Sequence, residues 1–313
     1  MTASTDRRRK VLVIGSLNAD LVAQAARLPL PGETVIGGQF HLAAGGKGAN
    51  QAVAAARMGS AVAMIGRIGN DSFGSMLRDE LQRAGVGFEH VLVDPTAPTG
   101  TGHVFIDAQG RNAIIVASGA NQRLTAEDLA SATSAWLDVA LVVLQLEVPL
   151  STVDAAIRQA AERDVPVLLN AAPAQALPRD LLRAPAWIVV NEVEAEQLAH
   201  APVRSAGDAL HAASMLRTGT QRMVVTLGSS GAVLLSDQGS THVAAPAVEV
   251  VDTTAAGDAF VGTLAAALAA GLDDESAVRR AVVAGSLACT RLGAIPSLPT
   301  AADLEQFRRR TAC

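Results

Sequence analysis

Asp258 closes a run of small residues, Val251-Asp252-Thr253-Thr254-Ala255-Ala256-Gly257-Asp258, and opens directly onto an apolar stretch with the composition of a buried helix. A helix starting there would aim the backbone N–H groups of Ala256, Gly257 and Asp258 at one point, with partial positive charge behind them. An anion held at that point beside a carboxylate is equipment for moving a phosphoryl group onto a hydroxyl. The amides take up charge and the carboxylate takes the proton. The β-branched run Val248–Val251 reads as the strand leading into this turn.

Other candidate residues follow strand-like runs. Asn18 and Asp20 come after Val11–Ile14. Two apart in extended backbone, they face the same way and could bind a polyol's hydroxyls or cap a turn. Ala44-Gly45-Gly46-Lys47-Gly48-Ala49-Asn50-Gln51 opens a helix. Its glycines admit a ligand to the backbone or make a tight strand-to-helix turn. It is not a Walker A loop, because Gly48 and not Ser or Thr follows the lysine. Glu147 ends the run Ala140–Leu144 as a site carboxylate or a helix cap. Asn191, Glu192 and Glu194 follow Trp187–Val190; acids there suit a helix N-terminus or a hydrated Mg²⁺. Thr226-Leu227-Gly228-Ser229-Ser230-Gly231 is a glycine turn with room for a nucleotide.

The elements that must position these residues alternate. Strands are predicted at Val11–Ile14, Ala61–Ile65, Ala140–Leu144, Val165–Leu169, Trp187–Val190, Met223–Thr226 and Ala232–Leu235. Helices are predicted at Ala49–Met58, Ser72–Ala84, Ala126–Leu137, Ser151–Glu162, Glu192–Ala199, Ala206–Leu216, Ala259–Ala270 and Glu275–Leu292. This is an α/β pattern with a mostly parallel sheet covered on both faces. Residues about 20–44, with strand-like pieces around Pro29, Pro31-Gly32 and Gly37-Gly38, and a hairpin over about 98–117 interrupt it. Both suit a small sheet standing off the main one.

A net charge of −5 and a pI near 5.7 argue against a nucleic-acid surface; Arg7-Arg8-Arg9-Lys10 reads as a solvated tail, with residues 1–9 expected to be disordered. With 3% aromatics and no Tyr, base-stacking platforms are not expected. Cys289 and Cys313 form no framework, which suits a reducing cytoplasm. No apolar run is long enough to span a bilayer, and no membrane partner is expected.

The candidates share one sheet edge, and their motifs carry a resemblance. Gly45-Gly46-Lys47-Gly48-Ala49-Asn50-Gln51-Ala52 and Asp252–Asp258 match two signature regions, and from about Val11 to Phe307 the chain resembles the ribokinase-like (PfkB-type) carbohydrate kinases. Gly15–Asp20, Pro31-Gly32-Glu33-Thr34, Asn170-Ala171-Ala172-Pro173-Ala174, Asn191–Glu196 and Gly293-Ala294-Ile295-Pro296-Ser297 resemble the family's ribose-phosphorylating branch.

The resemblance implies a three-layer α/β/α sandwich with a mostly parallel central sheet and a small β-sheet lid. One kinase domain would span 1–313, with lid segments at about 16–44 and 98–117. The implied reaction is ATP-dependent phosphorylation of D-ribose at its 5-hydroxyl, in the cytoplasm. Deoxyribose or a nucleoside is the alternative acceptor; a catalytically silent sugar-binding regulator is the other alternative. Asn18, Asp20, Gly46, Lys47, Asn50 and Glu147 would line the sugar pocket, and Asp258 would be the general base. Ala255, Ala256 and Gly257 would form the anion hole; Asn191, Thr226, Gly228, Gly231 and Gly257 would contact ATP. Glu194 would organise Mg²⁺ through water. Asp252, Thr254, Ala288, Arg291, Gly293 and Ser297 would supply oxygens to K⁺, and the lid would form a homodimer interface. Two departures stand out: Ala255 replaces a common glycine, and Val282 replaces a His or Asn that meets adenine.

Overall fold

The computed structural model describes residues 10–109 and 111–311, so the expected tail 1–9, Gly110 and Cys313 lie outside the described residues. The strands are β1 Lys10–Ile14, β2 Asn18–Gln24, β3 Phe40–Gly45, β4 Val62–Gly69, β5 Gly87–Asp94, β6 Gly100–Ile106, β7 Asn112–Ala117, β8 Val139–Leu144, β9 Val167–Asn170, β10 Trp187–Asn191, β11 Arg222–Thr226, β12 Ala232–Ser236 and β13 Gly239–Val243. The α-helices are α1 Lys47–Arg57, α2 Ser72–Arg83, α3 Ala126–Ser131, α4 Leu150–Ala161, α5 Arg179–Arg183, α6 Glu192–Ala199, α7 Ala206–Leu216, α8 Ala256–Ala269, α9 Asp274–Ala288 and α10 Ala301–Thr311.

β1 is a continuous apolar run because both its faces are covered: Val11 to Ile14 are each 0% exposed. Val11 and Val13 pack with α1, α2, α8 and α9, whereas Leu12 and Ile14 pack with α3, α4, α6 and α7. The result is a three-layer α/β/α sandwich. Its main sheet runs β13-β12-β11-β10-β9-β8-β1-β4-β5, parallel from β5 to β11 and antiparallel only at β12 and β13.

A separate four-stranded sheet has the order β3-β2-β6-β7. The Pro/Gly stretch 25–39 is the loop between β2 and β3 and contributes no strand. Pro29 and Pro31 cannot donate to a ladder, so the strands form on either side of them.

Residues Val248–Val251 do not form the expected strand. Val250 and Val251 are exposed, and the N–H groups of Val251 and Asp252 donate to Cys289 O at 2.8 and 3.2 Å. β-Branching favours a strand only where a partner edge is available, and here the loop pairs with the end of α9 instead. The helix expected over Ala126–Leu137 divides into α3 and a 3₁₀ turn, Thr133–Trp136, which tucks Trp136 into the core. The last α helix expected in the series ends at Ala288, before Leu292. β5, β13, α5 and α10 are further elements beyond those expected.

One contact sets the geometry of the site. α1 and α8 cross so closely at Gly262 that a Cβ there would lie 2.5 Å from both Gln51 O and Ala54 Cβ. That approach brings Asn50 and Gln51 against the first turn of α8, where Asp258 sits.

Candidate active site

The chain runs outward from β1 through β4 to β5 on one side, and from β8 through β11 on the other. Neighbouring strands β1 and β8 thus send their connections apart, which opens a crevice at their carboxyl ends. Ser16, just past β1, donates from Oγ to Glu147 Oε2 at 2.5 Å, just past β8. The start of α1 is fastened to the same point. Lys47 N donates to Glu147 Oε2 (3.1 Å), Gly48 N to Ser16 Oγ (3.2 Å) and Ala49 N to Ser16 O (2.9 Å). Gly48 has no room for a side chain: a Cβ would stand 2.6 Å from Ser16 N. Gly46, the N-cap, has φ 88°, a left-handed value that favours glycine.

Asp258 is buried in the first turn of α8. Asn50 Nδ2 donates to its Oδ2 at 2.8 Å, and Gln51 Nε2 to its Oδ1 at 2.9 Å. The N-cap is Ala255, held at φ 59°, a left-handed conformation that costs a non-glycine residue about 1–2 kcal/mol. Ala256 N donates back to Thr253 O at 3.2 Å. Gly257 and Asp258 are the next residues of the first turn, whose N–H groups have no acceptor within the helix. Among the described residues, Ala256 N is thus partly engaged, while the N–H groups of Gly257 and Asp258 stand at the open start of the helix.

Asn18 and Asp20 point from β2 in the same direction. Asn18 Oδ1 accepts from Asn121 Nδ2 at 2.8 Å, and Asn121 also clasps the Leu17 backbone. Asp20 lies against Gly45 and Gly102 on the neighbouring strands, where a Cβ would collide with its carboxylate. Burial pushes the Asp20 carboxyl up to about 7, helped by the charges of Glu147 and Asp258. Burial alone would lower the Lys47 ammonium, but Asp258, Glu147 and Glu194 outweigh it and hold the group above its ordinary value.

A cavity of about 200 Å³ joins Asp258 to the strand ends beyond β9. Its lining includes Lys47, Asn191, Glu194, Thr226, Ala255, Ala256 and Gly257. Asn191 and Glu194 cap α6 reciprocally: Glu194 N donates to Asn191 Oδ1, and Asn191 N to Glu194 Oε2, each at 2.8 Å. Burial raises the Glu194 carboxyl, against the pull of the Asn191 amide and Lys47. Gly228 and Gly231 turn with φ 50° and 91°. Val282 is 5% exposed and packs in the core, so it offers a base little surface.

The matching family is described as "pfkB family carbohydrate kinase" and covers residues 8–301. The chain belongs to the PfkB family of carbohydrate kinases. A ribokinase from Haemophilus influenzae is 36% identical over 302 residues, which is 96% of this chain and 98% of that protein. A deoxyribokinase from Salmonella typhi is also 36% identical, over 95% of this chain and 97% of its own length. Arabidopsis thaliana ribokinase, solved with ribose and ATP, superposes with a TM-score of 0.85 at 30% identity, covering 95% of this chain and 98% of that one.

In this carbohydrate kinase the residues expected around a monovalent cation fall on the loop before α8 and on the segment from the last residue of α9 to the 3₁₀ turn Ile295–Ser297. Asp252 accepts from Thr254 N (2.9 Å) and Oγ1 (2.7 Å) through one oxygen and from Gly293 N (2.8 Å) through the other. Those bonds hold the Asp252 carboxyl below its usual value, against the opposing effect of burial. Arg291 turns its guanidinium to Asp303 at 3.0 Å, so only its main chain can face the loop. Arg291 N bonds Ala288 O at 3.3 Å. Ser297 is buried and donates to Ala294 O at 2.8 Å, leaving its oxygen as an acceptor.

Sequence reasoning assigned no role to Ser16, Gln51, Asn121, Gln145 or Asn170. Ser16 and Gln51 lie inside the motifs already singled out. Asn121 sits in a 3₁₀ turn with no motif of its own, and only the tertiary fold brings it to Asn18.

Proposed function

We propose that this kinase transfers the γ-phosphoryl group of ATP to the 5-hydroxyl of D-ribose in the cytoplasm, giving D-ribose 5-phosphate and ADP. The observation that carries the reading is Asp258: a buried carboxylate gripped by two amides at the open start of a helix, beside a cavity. The relatives' names and the ribose and ATP complex of the Arabidopsis enzyme support the choice of substrates.

Asn18, Asp20, Gly46, Lys47, Asn50 and Glu147 hold the sugar so that its 5-hydroxyl faces Asp258. The hydroxyl oxygen bonds to the γ-phosphorus as the bond from phosphorus to the ADP oxygen breaks, and the hydroxyl proton passes to Asp258. Gly257, with Ala255 and Ala256, presents the helix start to the charge that builds on the phosphoryl oxygens. Asn191, Thr226, Gly228 and Gly231 border the nucleotide. Glu194 keeps Oε1 available beside the cavity once Oε2 is bonded to Asn191, which fits a metal-bound water. Mg²⁺ when bound supplies neutralisation of phosphate charge. The all-oxygen set of Asp252, Thr254, Gly293 and Ser297, with the main chain of Ala288 and Arg291, fits a hard cation such as K⁺ that braces the turn.

A second reading, phosphorylation of deoxyribose, is favoured by the equal identity to the Salmonella deoxyribokinase. Asp20 opposes it, because a carboxylate gains most from two vicinal hydroxyls. The deciding experiment measures ADP release with ribose, deoxyribose, other pentoses and nucleosides, each with and without K⁺. Ribose should give the highest kcat/KM and K⁺ should raise it; a higher value for deoxyribose would transfer the assignment. Asp258→Asn should bind ribose yet lose about 10²–10⁴-fold in kcat. Near-normal turnover in that variant would remove Asp258 as the base.

A further inference from the structure

Against Asp258 lies a chain of buried amides that the proposed reaction leaves unused; one of them, Asn170, also lines the cavity. Gln145 Nε2 donates to Gln51 Oε1 at 2.7 Å. Gln51 Nε2 donates to both Asp258 Oδ1 and Asn170 Oδ1, each at 2.9 Å. Asn170 Nδ2 donates onward to Val189 O at 3.2 Å. Gln51, Gln145 and Asn170 are 1%, 0% and 7% exposed.

We propose that Gln51 is the positioning residue of Asp258, and that Gln145 and Asn170 lock its amide with the N–H side toward the carboxylate. The inference rests on Asp258 being the general base. An amide can be reversed end for end, so a lone glutamine could present either N–H or C=O to Asp258. Here reversal is blocked twice. It would set Gln51 Oε1 against the oxygens of both Asp258 and Asn170, whose own amide Val189 O holds in place, while Gln145 favours the observed orientation by donating to Gln51 Oε1. Only one orientation satisfies every contact.

Gln145 makes the case for function over filling. Its Oε1 is buried without a partner while its N–H goes to Gln51. Space-filling alone is served as well by aliphatic side chains of this size, with no unsatisfied oxygen. The chain instead reaches from β8 and β9, through α1, to the one carboxylate placed to take the hydroxyl proton. Donors of this kind fix the carboxylate oxygen that must meet the hydroxyl.

The test uses Gln51→Glu, which keeps the side chain's size, and Gln145→Leu, which removes the lock without touching Asp258. Steady-state kcat is followed from pH 5 to 9, with ribose and ATP binding measured by calorimetry. Gln51→Glu places a second carboxylate beside Asp258, so the acid limb of the kcat profile should move up by about one pH unit or more. Its kcat at neutral pH should fall at least tenfold, with both affinities held within about twofold. Gln145→Leu should shift the limb the same way by less, and it decides the matter if Gln51→Glu does not fold. An unmoved acid limb in the folded variant would overturn the inference, as would parallel loss of kcat and ribose affinity, which marks a merely structural role. Asp258→Asn measured alongside separates the two layers. If it keeps turnover, the base assignment fails; if it is inactive while Gln51→Glu keeps the wild-type profile, only the positioning inference fails.

Discussion

Asp20 makes the residue scale measurable. Its carboxyl is pushed up to about 7 by burial and by the charges of Glu147 and Asp258. Between the ordinary carboxylate value and about 7, the folded chain binds a proton here that the unfolded chain does not. Asp20 therefore favours the fold at low pH, and its contribution declines as pH rises through that window. Sugar hydroxyls donate to a carboxylate, so ribose selects the ionised form. Below pH 7 binding must expel the proton, and affinity should fall as pH is lowered, approaching tenfold per unit. Calorimetry at pH 6 in buffers of different ionisation heat should register release of close to one proton, absent in Asp20→Asn. Binding at pH 6 without proton release would sink this account.

Two helices do the work at the scale of elements. α1 brings Asn50 and Gln51, α8 brings Asp258, and Gly262 lets the pair approach. Gly262→Ala should push α8 off α1, because the added Cβ meets Gln51 O and Ala54 Cβ. Overpacking of that kind costs about 1–3 kcal/mol, to be read from denaturant unfolding. The same displacement lengthens the bonds to Asp258, so kcat should fall more than ribose affinity does. A variant with native stability and native kcat would show that the helices can absorb the methyl group.

For the whole molecule, the small sheet exposes apolar side chains on both faces, with Ile114 and Val116 on the one that carries Asp20. Asp20 pairs across the ladder with Ala43 and Gly102, on the face that carries Asn18. The intervening residues Phe40, Leu42, Phe105 and Ile115 alternate onto the opposite face, where all four are exposed. An apolar face of that kind, backing a sugar site, suits burial against a second copy of the chain. Light scattering on a sizing column should give twice the chain mass. Leu42→Asp should yield monomers with weakened ribose binding, because the lid loses its backing. A monomeric wild-type chain would refute the interface.

Much of this protein was legible from local chemistry. The buried runs at β1, β8, β10 and β11 announced a parallel sheet, because strands covered on both faces cannot alternate. The turn before Asp258 was legible because small residues, a carboxylate and an apolar helix occur in immediate succession. Val248–Val251 misled, because β-branching reports a preference and cannot report whether a partner strand is present. Only the tertiary structure brought Asn121 to Asn18, Gln145 to Gln51 and Gly262 to the back of α1. Those contacts span 103, 94 and more than 200 positions, and side-chain hydrogen bonding and close packing across such distances leave no periodic trace. The sequence alone determined which groups could carry phosphoryl chemistry. The packing of α1 on α8 over the β1–β8 crevice decided which of them meet, because a carboxylate's reactivity depends on the donors and charges folded against it.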